Sequence, residues 1–286
     1  MHPEVWTIRD LLRWTTDRFT QCGIETPRLD AEVLLAHALK TTRLHLYTHH
    51  DQPVGTEERA LFRNAVLRRT QHEPVAYLLG YKEFFGREFV VNSSVLIPRP
   101  ETEHVIEQTL EWAEIQQDPC IRIADIGCGS GAIGVTLACE LPMARVTLVD
   151  ISQSALNTAI DNAHRLGVAD RVEGVCADLC TSLHGAYDAI VSNPPYIADA
   201  EVLPVDVQDF EPSLALRGGE KGYEILHRLC LDARKVLRDG GLLACEVGAG
   251  QATELQQFMA DLGFRDCRCT KDLAGIDRVT TGIWFN

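Results

Sequence analysis

The tetrapeptide Asn193-Pro194-Pro195-Tyr196 follows a hydrophobic run and could hold a planar nitrogen group. An amide or amine nitrogen of this kind is a poor nucleophile because its lone pair is delocalised, so it must be held in line with an electrophile. The Asn193 side-chain oxygen and the Pro194 carbonyl could accept its two hydrogens, two prolines would make the backbone rigid, and Tyr196 could stack on the planar group. The alternative is a Pro-Pro turn that simply ends a strand.

A second candidate is the glycine-rich segment 125–131 (DIGCGSG), which precedes a predicted helix beginning near Ala132. Glycines allow a sharp turn and let a ligand lie against bare main chain at a helix N-terminus. Asp150, at the end of the next predicted strand, could accept two hydrogen bonds from a ribose diol. A dinucleotide and S-adenosylmethionine (SAM) both carry such a diol, and residues 129–134 also satisfy GxGxxG. A glycine-rich turn without function is the remaining alternative.

The charge around this loop favours SAM without excluding a dinucleotide. SAM carries a sulfonium cation and no phosphate, and the neighbourhood contains Asp125, Asp150 and Asp178 but no Lys or Arg in the loop. A dinucleotide-dependent oxidoreductase would also need a hydride-transfer partner, and none is evident in the sequence.

From residue 100 onward, helical patterns alternate with β-rich runs, which predicts a mostly parallel, doubly wound α/β sheet. The seven runs are 121–127, 144–151, 171–178, 187–195, 240–248, 264–272 and 278–286. Only a short turn around Gly275 separates the last two runs, so we expect the final strand to be antiparallel. Ligands of open α/β sheets bind at the carboxyl ends of the strands, so the glycine loop and the tetrapeptide should lie side by side.

The residues before the sheet predict a separate module. Apolar residues at helical spacing indicate a helical bundle over residues 1–81. The period changes in 82–97, where turn formers such as Gly86 interrupt aromatic and β-branched residues, and this predicts a β-hairpin linker. Residues 98–286 then form the α/β domain.

Two charged pairs outside these motifs have simpler interpretations. Arg68-Arg69 is expected on a solvated helix face, with contact to a partner as the alternative. Glu101 and Glu103 resemble an acid/base pair, but an alkylated amide nitrogen is acidic enough to lose its proton to water. We therefore expect these carboxylates to order their loop or to cap the helix that follows.

Composition restricts the classes of function. The 286 residues include 27 basic and 41 acidic residues, and the formal net charge is −14. Residues 1–85 hold 11 of each sign, so 86–286 carry the whole excess, 16 basic against 30 acidic. Stable nucleic-acid binding through phosphate neutralisation is therefore not expected.

Apolar runs are too short for a membrane span and no signal-peptide pattern is evident, which predicts a cytoplasmic protein. Ten scattered cysteines predict free thiols and no metal.

Together these motifs resemble the HemK/PrmC family of SAM-dependent protein N5-glutamine methyltransferases. The resemblance covers nearly the whole chain, in EPVAYLLGYKEFFGREFVVNSSVLIPRPETE (73–103), ADIGCGSGAIGVTLA (124–138), LVDIS (148–152), VSNPPYIA (191–198), FEPSLALRGG (210–219), CEVGAGQ (245–251) and DLAGIDRV (272–279). It implies a class I SAM-dependent methyltransferase domain of seven strands and an N-terminal domain that helps to dock the substrate. That substrate would be the glutamine of the Gly-Gly-Gln motif in class I peptide chain release factors.

The resemblance also implies the site residues. The SAM-binding set would be Gly127, Cys128, Gly129, Ser130, Gly131, Asp150, Asp178, Leu179 and Asn193. The catalytic and substrate-binding set would be Asn193, Pro194, Pro195 and Tyr196. There are two departures from the family pattern. Lys221 stands where the family usually has an acid, which puts a binding role for that loop in doubt. Leu179 stands where relatives often have an aromatic residue, so we expect weaker adenine stacking.

Other functions remain open from the sequence. The main alternative is an amino-methyltransferase acting on the exocyclic amine of adenine or guanine in DNA or RNA, because that nitrogen suits the tetrapeptide equally well. A SAM-binding scaffold without catalysis is less consistent with an intact tetrapeptide. A monomer is expected.

Overall fold

The computed structural model describes residues 6–285, which form two compact units. The N-terminal unit contains the described residues up to Gly80 and also Pro204–Phe210. The second unit, called the catalytic unit after the activity that the resemblance implies, contains Tyr81–Leu203 and the described residues from Glu211 onward. The sequence pattern predicts 204–210 within the α/β domain, whereas the structure groups this segment with the N-terminal unit.

The N-terminal unit is a helical bundle, as predicted. Its first five helices are α1 (Ile8–Gln21), α2 (Pro27–Ala38), α3 (Arg43–Thr48), α4 (Thr56–Arg69) and α5 (Val75–Leu79). A capping box begins α1: the Thr7 side chain accepts from the Asp10 N–H, and the Asp10 carboxylate accepts from the Thr7 N–H. Apolar side chains that include Ile8, Phe19 and Leu35 form the core.

The expected solvated face at Arg68-Arg69 is wrong for Arg69, which is only 7% exposed. Its Nε donates to Asp30 Oδ2 at 2.8 Å, and its Nη1 donates to the carbonyls of His72 and Glu73. Burying a guanidinium is costly unless acceptors such as these satisfy its N–H groups. Arg68 is about half exposed and pairs with the Glu73 carboxylate.

The predicted hairpin opens the catalytic unit but is shorter than 82–97. Its strands are β1 (Tyr81–Phe84) and β2 (Arg87–Val90), joined through residues with positive φ at Phe85 and Gly86. Glu103 Oε1 accepts the Phe85 N–H at 2.9 Å, so this carboxylate orders the hairpin turn and not its own loop. Glu103 lies in the first turn of the helix that follows, and its expected role at that helix N-terminus stays a prediction.

The main sheet has seven strands: β3 (Arg122–Ile126), β4 (Arg145–Asp150), β5 (Val172–Cys176), β6 (Tyr187–Ser192), β9 (Leu237–Glu246), β10 (Arg265–Lys271) and β11 (Asp277–Trp284). Their order across the sheet is β10-β11-β9-β6-β3-β4-β5. Each predicted run overlaps one of them, but β9 begins at Leu237, before its run 240–248, and β11 begins at Asp277, before its run 278–286. β11 runs antiparallel to both of its neighbours, β10 and β9, and the other six strands run in one direction, which confirms the expectation for the final strand.

Helices cover both faces of this sheet, which makes it doubly wound. Those of the catalytic unit are α6 (Glu103–Glu114), α7 (Ala132–Glu140), α8 (Gln153–Arg165), α10 (Glu224–Val236) and α11 (Ala252–Asp261); α9 (Val205–Phe210) belongs to the N-terminal unit. Along β3, Ile123 packs in one apolar cluster and Ala124 and Ile126 in the other. This alternation is expected for a strand buried on both faces.

A second, two-stranded sheet lies outside the sequence predictions. In it β7 (Ile197–Ala198) pairs in parallel with β8 (Arg217–Gly219). Single 3₁₀ turns occur at Pro100–Thr102, Ala169–Arg171 and Ser213–Ala215. Within residues 6–285, no helix combines the length and apolarity that a membrane crossing requires.

Candidate active site

The glycine loop connects the end of β3 to the start of α7 and is tied to β4. The N–H groups of Gly127 and Cys128 both donate to the carbonyl of Val149, at 2.8 and 2.9 Å. Gly127 and Gly129 have φ of +69° and +54°, and a Cβ built at either would meet nothing within 4 Å. Glycine here therefore serves the turn, and the space beside the backbone is open to a ligand.

Close packing is a further reason for glycine at Gly131, whose φ is +78°, and the reason at Gly134. A Cβ at Gly131 would lie 2.9 Å from Val135 Cγ2 and 3.1 Å from Ala159 Cβ. A Cβ at Gly134 would lie 2.5 Å from Leu148 Cδ2. These glycines let α7 pack closely against α8 and the sheet, which places the helix N-terminus at the loop.

Asp150 is the last residue of β4, and its side chain is hydrogen-bonded to the glycine loop. Its Oδ2 accepts the Gly129 N–H at 2.9 Å and its Oδ1 accepts the Ser152 N–H at 2.8 Å. Burial raises the pKa of Asp150, and these two N–H groups act in the opposite direction. A carboxylate oxygen can accept more than one hydrogen bond, so both oxygens can still receive the hydroxyls of a diol.

Asp125 is buried under the same loop. Its Oδ2 accepts the Gly134 N–H at 2.8 Å, while Oδ1 finds no hydrogen-bond partner among residues 6–285. Burial raises the pKa of Asp125 to about 7, with the nearby Asp150 carboxylate as a lesser cause. Burial also raises the pKa of the Cys128 thiol well above its ordinary value, so that thiol stays neutral and unreactive.

The segment after β5 brings Asp178 and Leu179 to the site. Asp178 Oδ2 forms an ion pair with Arg228 Nη2 at 2.5 Å. Leu179 has φ +50°, a strained conformation for a branched side chain. Lys221, the other departure from the family pattern, is exposed, and its N–H donates to Glu224 Oε1.

These segments surround a cleft of about 380 Å³ in the catalytic unit. The predicted site residues that line it are Gly127, Cys128, Gly129, Ser130, Asp150, Asp178, Leu179, Asn193 and Pro195. Gly131, Pro194 and Tyr196, although within the described chain, are not among its lining residues. The structure thus brings the loop and the tetrapeptide together, as the sheet topology predicts.

The tetrapeptide begins where β6 ends, and its polar atoms are held from several sides. Asn193 Nδ2 donates to Thr102 Oγ1 at 3.0 Å. The Tyr196 hydroxyl donates to Glu246 Oε1 at 3.1 Å, and the Tyr196 carbonyl accepts from Gln251 Nε2 at 2.9 Å. Tyr196 therefore anchors the backbone of the tetrapeptide through both its ends.

Backbone from the β7–β8 sheet closes against the tetrapeptide without space for side chains. A Cβ at Gly218 would lie 2.6 Å from the Pro195 carbonyl oxygen and 2.7 Å from that of Gly222. A Cβ at Gly222 would overlap the Tyr196 carbonyl oxygen. Gly218 and Gly222 are thus required by close backbone approach.

Sequence reasoning missed Thr102, Glu246 and Arg228. Thr102 lies between Glu101 and Glu103, which were considered, and it is 4% exposed. Glu246 ends β9 and is 1% exposed. Thr102 and Glu246 belong to two motifs of the family resemblance, IPRPETE and CEVGAGQ, and this membership was the sequence signal for them. Neither motif shows that the two side chains meet.

The residues present fit SAM. Asp150 offers acceptors to a diol, the loop offers open backbone, and the Asp150 carboxylate in the cleft lining favours a cation. Two arginines, Arg217 and Arg228, line the cleft, but the first donates to the carbonyls of Ala198 and Glu201 and the second pairs with Asp178. A pyrophosphate would therefore find no free cation among the described lining residues.

Two protein-family models match separate parts of the chain. Residues 10–80 match the PrmC N-terminal domain family, and residues 110–210 match the methyltransferase small domain family. A release factor glutamine methyltransferase from Rhodopirellula baltica is 43% identical, with 96% of this chain and 95% of that protein covered. A protein of the same name from Geobacter sulfurreducens is 42% identical, with 98% of each chain covered.

Among solved structures, the hMettl16 catalytic domain in complex with MAT2A 3'UTR hairpin 1 matches with a TM-score of 0.58 at 14% identity. The match covers 88% of this chain and 93% of that one, and it supports the methyltransferase fold alone. Similarity at about 40% identity over nearly the full length is much more specific. The chain belongs to the family of release factor glutamine methyltransferases.

Proposed function

We propose that this enzyme transfers a methyl group from SAM to the side-chain amide nitrogen of a glutamine, in the Gly-Gly-Gln motif of class I peptide chain release factors. The observation that carries the proposal is the Asn193 side chain in the cleft, whose Nδ2 is engaged by Thr102 so that Oδ1 is left as an acceptor. Two neighbouring acceptors, Asn193 Oδ1 and the Pro194 carbonyl, match the two hydrogens of a primary amide.

SAM would be held by the loop 127–131, by Asp150 and by the segment at Asp178 and Leu179. When bound, SAM supplies a methyl group on a positively charged sulfonium. A well-placed nitrogen can take this methyl group as the neutral thioether leaves. Asp150 binds the ribose hydroxyls, and Arg228 keeps Asp178 in place at the edge of the cleft. Gly131 contributes through packing at the start of α7 rather than through ligand contact.

The chain's part in the chemistry is to position the nucleophile. Asn193 Oδ1 and the Pro194 carbonyl orient the amide NH₂ of the substrate, and Pro195 walls the cleft beside it. Because the methylated amide nitrogen is strongly acidic, its surplus proton passes to water and no general base is required. Glu246 suits this account, since its carboxylate already accepts from Thr102 and Tyr196 and is sealed from solvent.

The test is methyl transfer from labelled SAM to an intact release factor and to the same factor with its Gly-Gly-Gln glutamine changed to alanine. We expect label in the first and none in the second. Equal labelling of both would refute the proposed substrate residue. A parallel incubation with DNA and RNA tests the amino-methyltransferase alternative, and label in nucleic acid but not in the factor would favour it.

We assign docking of the release factor to the N-terminal unit, because residues 10–80 match the PrmC N-terminal domain family and leave large apolar side chains exposed. Trp14, Leu44 and Leu61 are 52%, 71% and 61% exposed. Trp14→Asp and Leu44→Asp should raise KM for an intact factor but not for a short Gly-Gly-Gln peptide. Equal effects on both substrates would contradict this assignment.

We further propose that the enzyme acts in the cytoplasm as a monomer without stable nucleic-acid binding. The excess of acidic residues in 86–286 supports the last point. Light scattering and a DNA-binding titration at low salt test the oligomeric state and the affinity for nucleic acid. A dimer in the first, or micromolar binding in the second, would contradict the proposal.

A further inference from the structure

A continuous chain of hydrogen bonds runs from Asn193 through Thr102 and Glu246 to Tyr196. Asn193 Nδ2 donates to Thr102 Oγ1 at 3.0 Å, and Thr102 Oγ1 donates to Glu246 Oε2 at 2.6 Å. The other oxygen, Glu246 Oε1, accepts from the Tyr196 hydroxyl at 3.1 Å. Thr102 lies 91 residues before Asn193 and 144 before Glu246, so only the fold brings the three together.

An asparagine amide needs such a partner because its two ends have nearly the same shape. Rotation by half a turn exchanges Oδ1 and Nδ2 at little steric cost, so hydrogen bonds decide which end faces a ligand. If Nδ2 faced the cleft, it would meet the NH₂ of a substrate amide, donor against donor. The orientation of Asn193 is thus a requirement of the proposed reaction.

The direction of each bond follows from what the groups can donate. Burial raises the pKa of Glu246, while the hydrogen bonds from Thr102 and Tyr196 act in the opposite direction because they stabilise the ionised form. In that form the carboxylate only accepts, and a hydroxyl has one proton. Thr102 must give its proton to Glu246, so it can only accept from Asn193, and Nδ2 is the only donor on that side chain. Tyr196 fills the second oxygen of Glu246 in the same way.

We propose that Thr102 and Glu246 are positioning residues that fix the polarity of the Asn193 amide, with Oδ1 held toward the substrate nitrogen. This inference rests on the proposed function for its effect on catalysis. Its structural content, the orientation of one amide, stands on the hydrogen bonds alone.

Glu246→Gln is the sharpest test because it preserves size. The new amide can donate to Thr102, which frees the threonine proton to point at Asn193 and lets the asparagine amide turn over. We expect kcat to fall about tenfold to a hundredfold, with the Kd for SAM within twofold of wild type. Thr102→Val, which removes the hydroxyl from a side chain of the same shape, should have a similar effect, and Thr102→Ser should restore most of kcat.

Thr136→Val is the matched control, since Thr136 is fully buried in the same unit and its hydroxyl has no partner within residues 6–285. It should retain wild-type kcat. A wild-type rate in Glu246→Gln, or equal losses in Thr102→Ser and Thr102→Val, would overturn the inference. If Glu246→Gln fails to fold, the threonine variants still decide.

A readout apart from turnover is hydrogen exchange of the Asn193 side-chain amide, followed by NMR and assigned by its loss in Asn193→Asp. Exchange should be slow in wild type and in Thr102→Ser, and at least tenfold faster in Thr102→Val. Equal exchange in all three would overturn the inference. Should the wild type fail to methylate a release factor, the proposed function fails, while the exchange result still judges the orientation of Asn193.

Discussion

Gly218→Ala tests whether close backbone packing holds the tetrapeptide in its working position. A Cβ at Gly218 would lie 2.6 Å from the Pro195 carbonyl oxygen and 2.7 Å from that of Gly222, with the Tyr196 Cα at 3.0 Å. Ordinary contacts begin near 3.4 Å, so the shortfall against Pro195 is about 0.8 Å. All three neighbours are backbone atoms and cannot swing aside as a flexible side chain can.

The added methyl must therefore displace β8 or the tetrapeptide. Overpacking of this kind costs about 1–3 kcal/mol of stability, and a displacement near 1 Å at reacting groups costs about a hundredfold in rate. We expect kcat for a release factor to fall by that order, with Tm lower by a few degrees. The Kd for SAM should change little, because the loop 127–131 follows β3 and Asp150 ends β4, whereas Gly218 lies in β8.

The assay combines initial rates of methyl transfer, calorimetric SAM binding and thermal unfolding. Gly55→Ala is the control, because its new Cβ would meet only the carboxylate end of Glu58, which can move away. It should leave all three measurements near wild type. A Gly218→Ala enzyme with normal kcat would refute the idea that this contact positions Pro195.

Three further changes have defined outcomes. Asp150→Ala should raise the Kd for SAM about tenfold to a hundredfold, because charge-assisted hydrogen bonds are lost; an unchanged Kd in calorimetry would contradict the assigned role. The pKa of Asp125 is raised from 3.8 to about 7, so the folded protein keeps a proton that the unfolded chain loses, and stability falls as pH rises from about 4 to 7. Asp125→Asn, which can still accept from Gly134, should remove about 4 kcal/mol of this change in the free energy of unfolding, as measured by denaturant titrations. An unaltered pH dependence would argue against a raised pKa at Asp125. Arg69→Ala should destabilise the N-terminal unit by about 3–5 kcal/mol because it strands the buried Asp30, whereas Arg68→Ala, at an exposed pair, should cost below about 1 kcal/mol; similar losses of Tm in both would contradict the difference.

The strands and the glycine loop could be predicted because their signals are local. A buried strand has a continuous apolar run, and a tight turn before a helix needs glycine at fixed positions. The partner of Asn193 had no local signal, since Thr102 is 91 residues away. The solvated face predicted for Arg69 failed for the same reason, because its partner Asp30 lies 39 residues earlier on another helix. The strands β7 and β8 are too short to show a periodicity.

Segment 97–103 illustrates how a motif without catalytic groups can still be required. The Ile97 N–H donates to Glu211 Oε2 at 3.1 Å, and Arg99 pairs with the same carboxylate. Thr102 then engages Asn193 and Glu246, while Glu103 orders the hairpin turn. Four residues thus fasten this segment to three parts of the catalytic unit. The motif identified by resemblance acts as a structural brace for the tetrapeptide.

The same contacts refine the argument from charge. Four acids of the acid-rich part are buried within the described chain, namely Asp125, Asp150, Glu211 and Glu246. Setting them aside leaves 26 acidic against 16 basic residues in 86–286. The remaining charge is still strongly negative, so burial does not explain the excess. A surface of this sign repels a phosphate backbone and attracts a basic protein segment, which favours a protein substrate over nucleic acid for the same NH₂-binding chemistry.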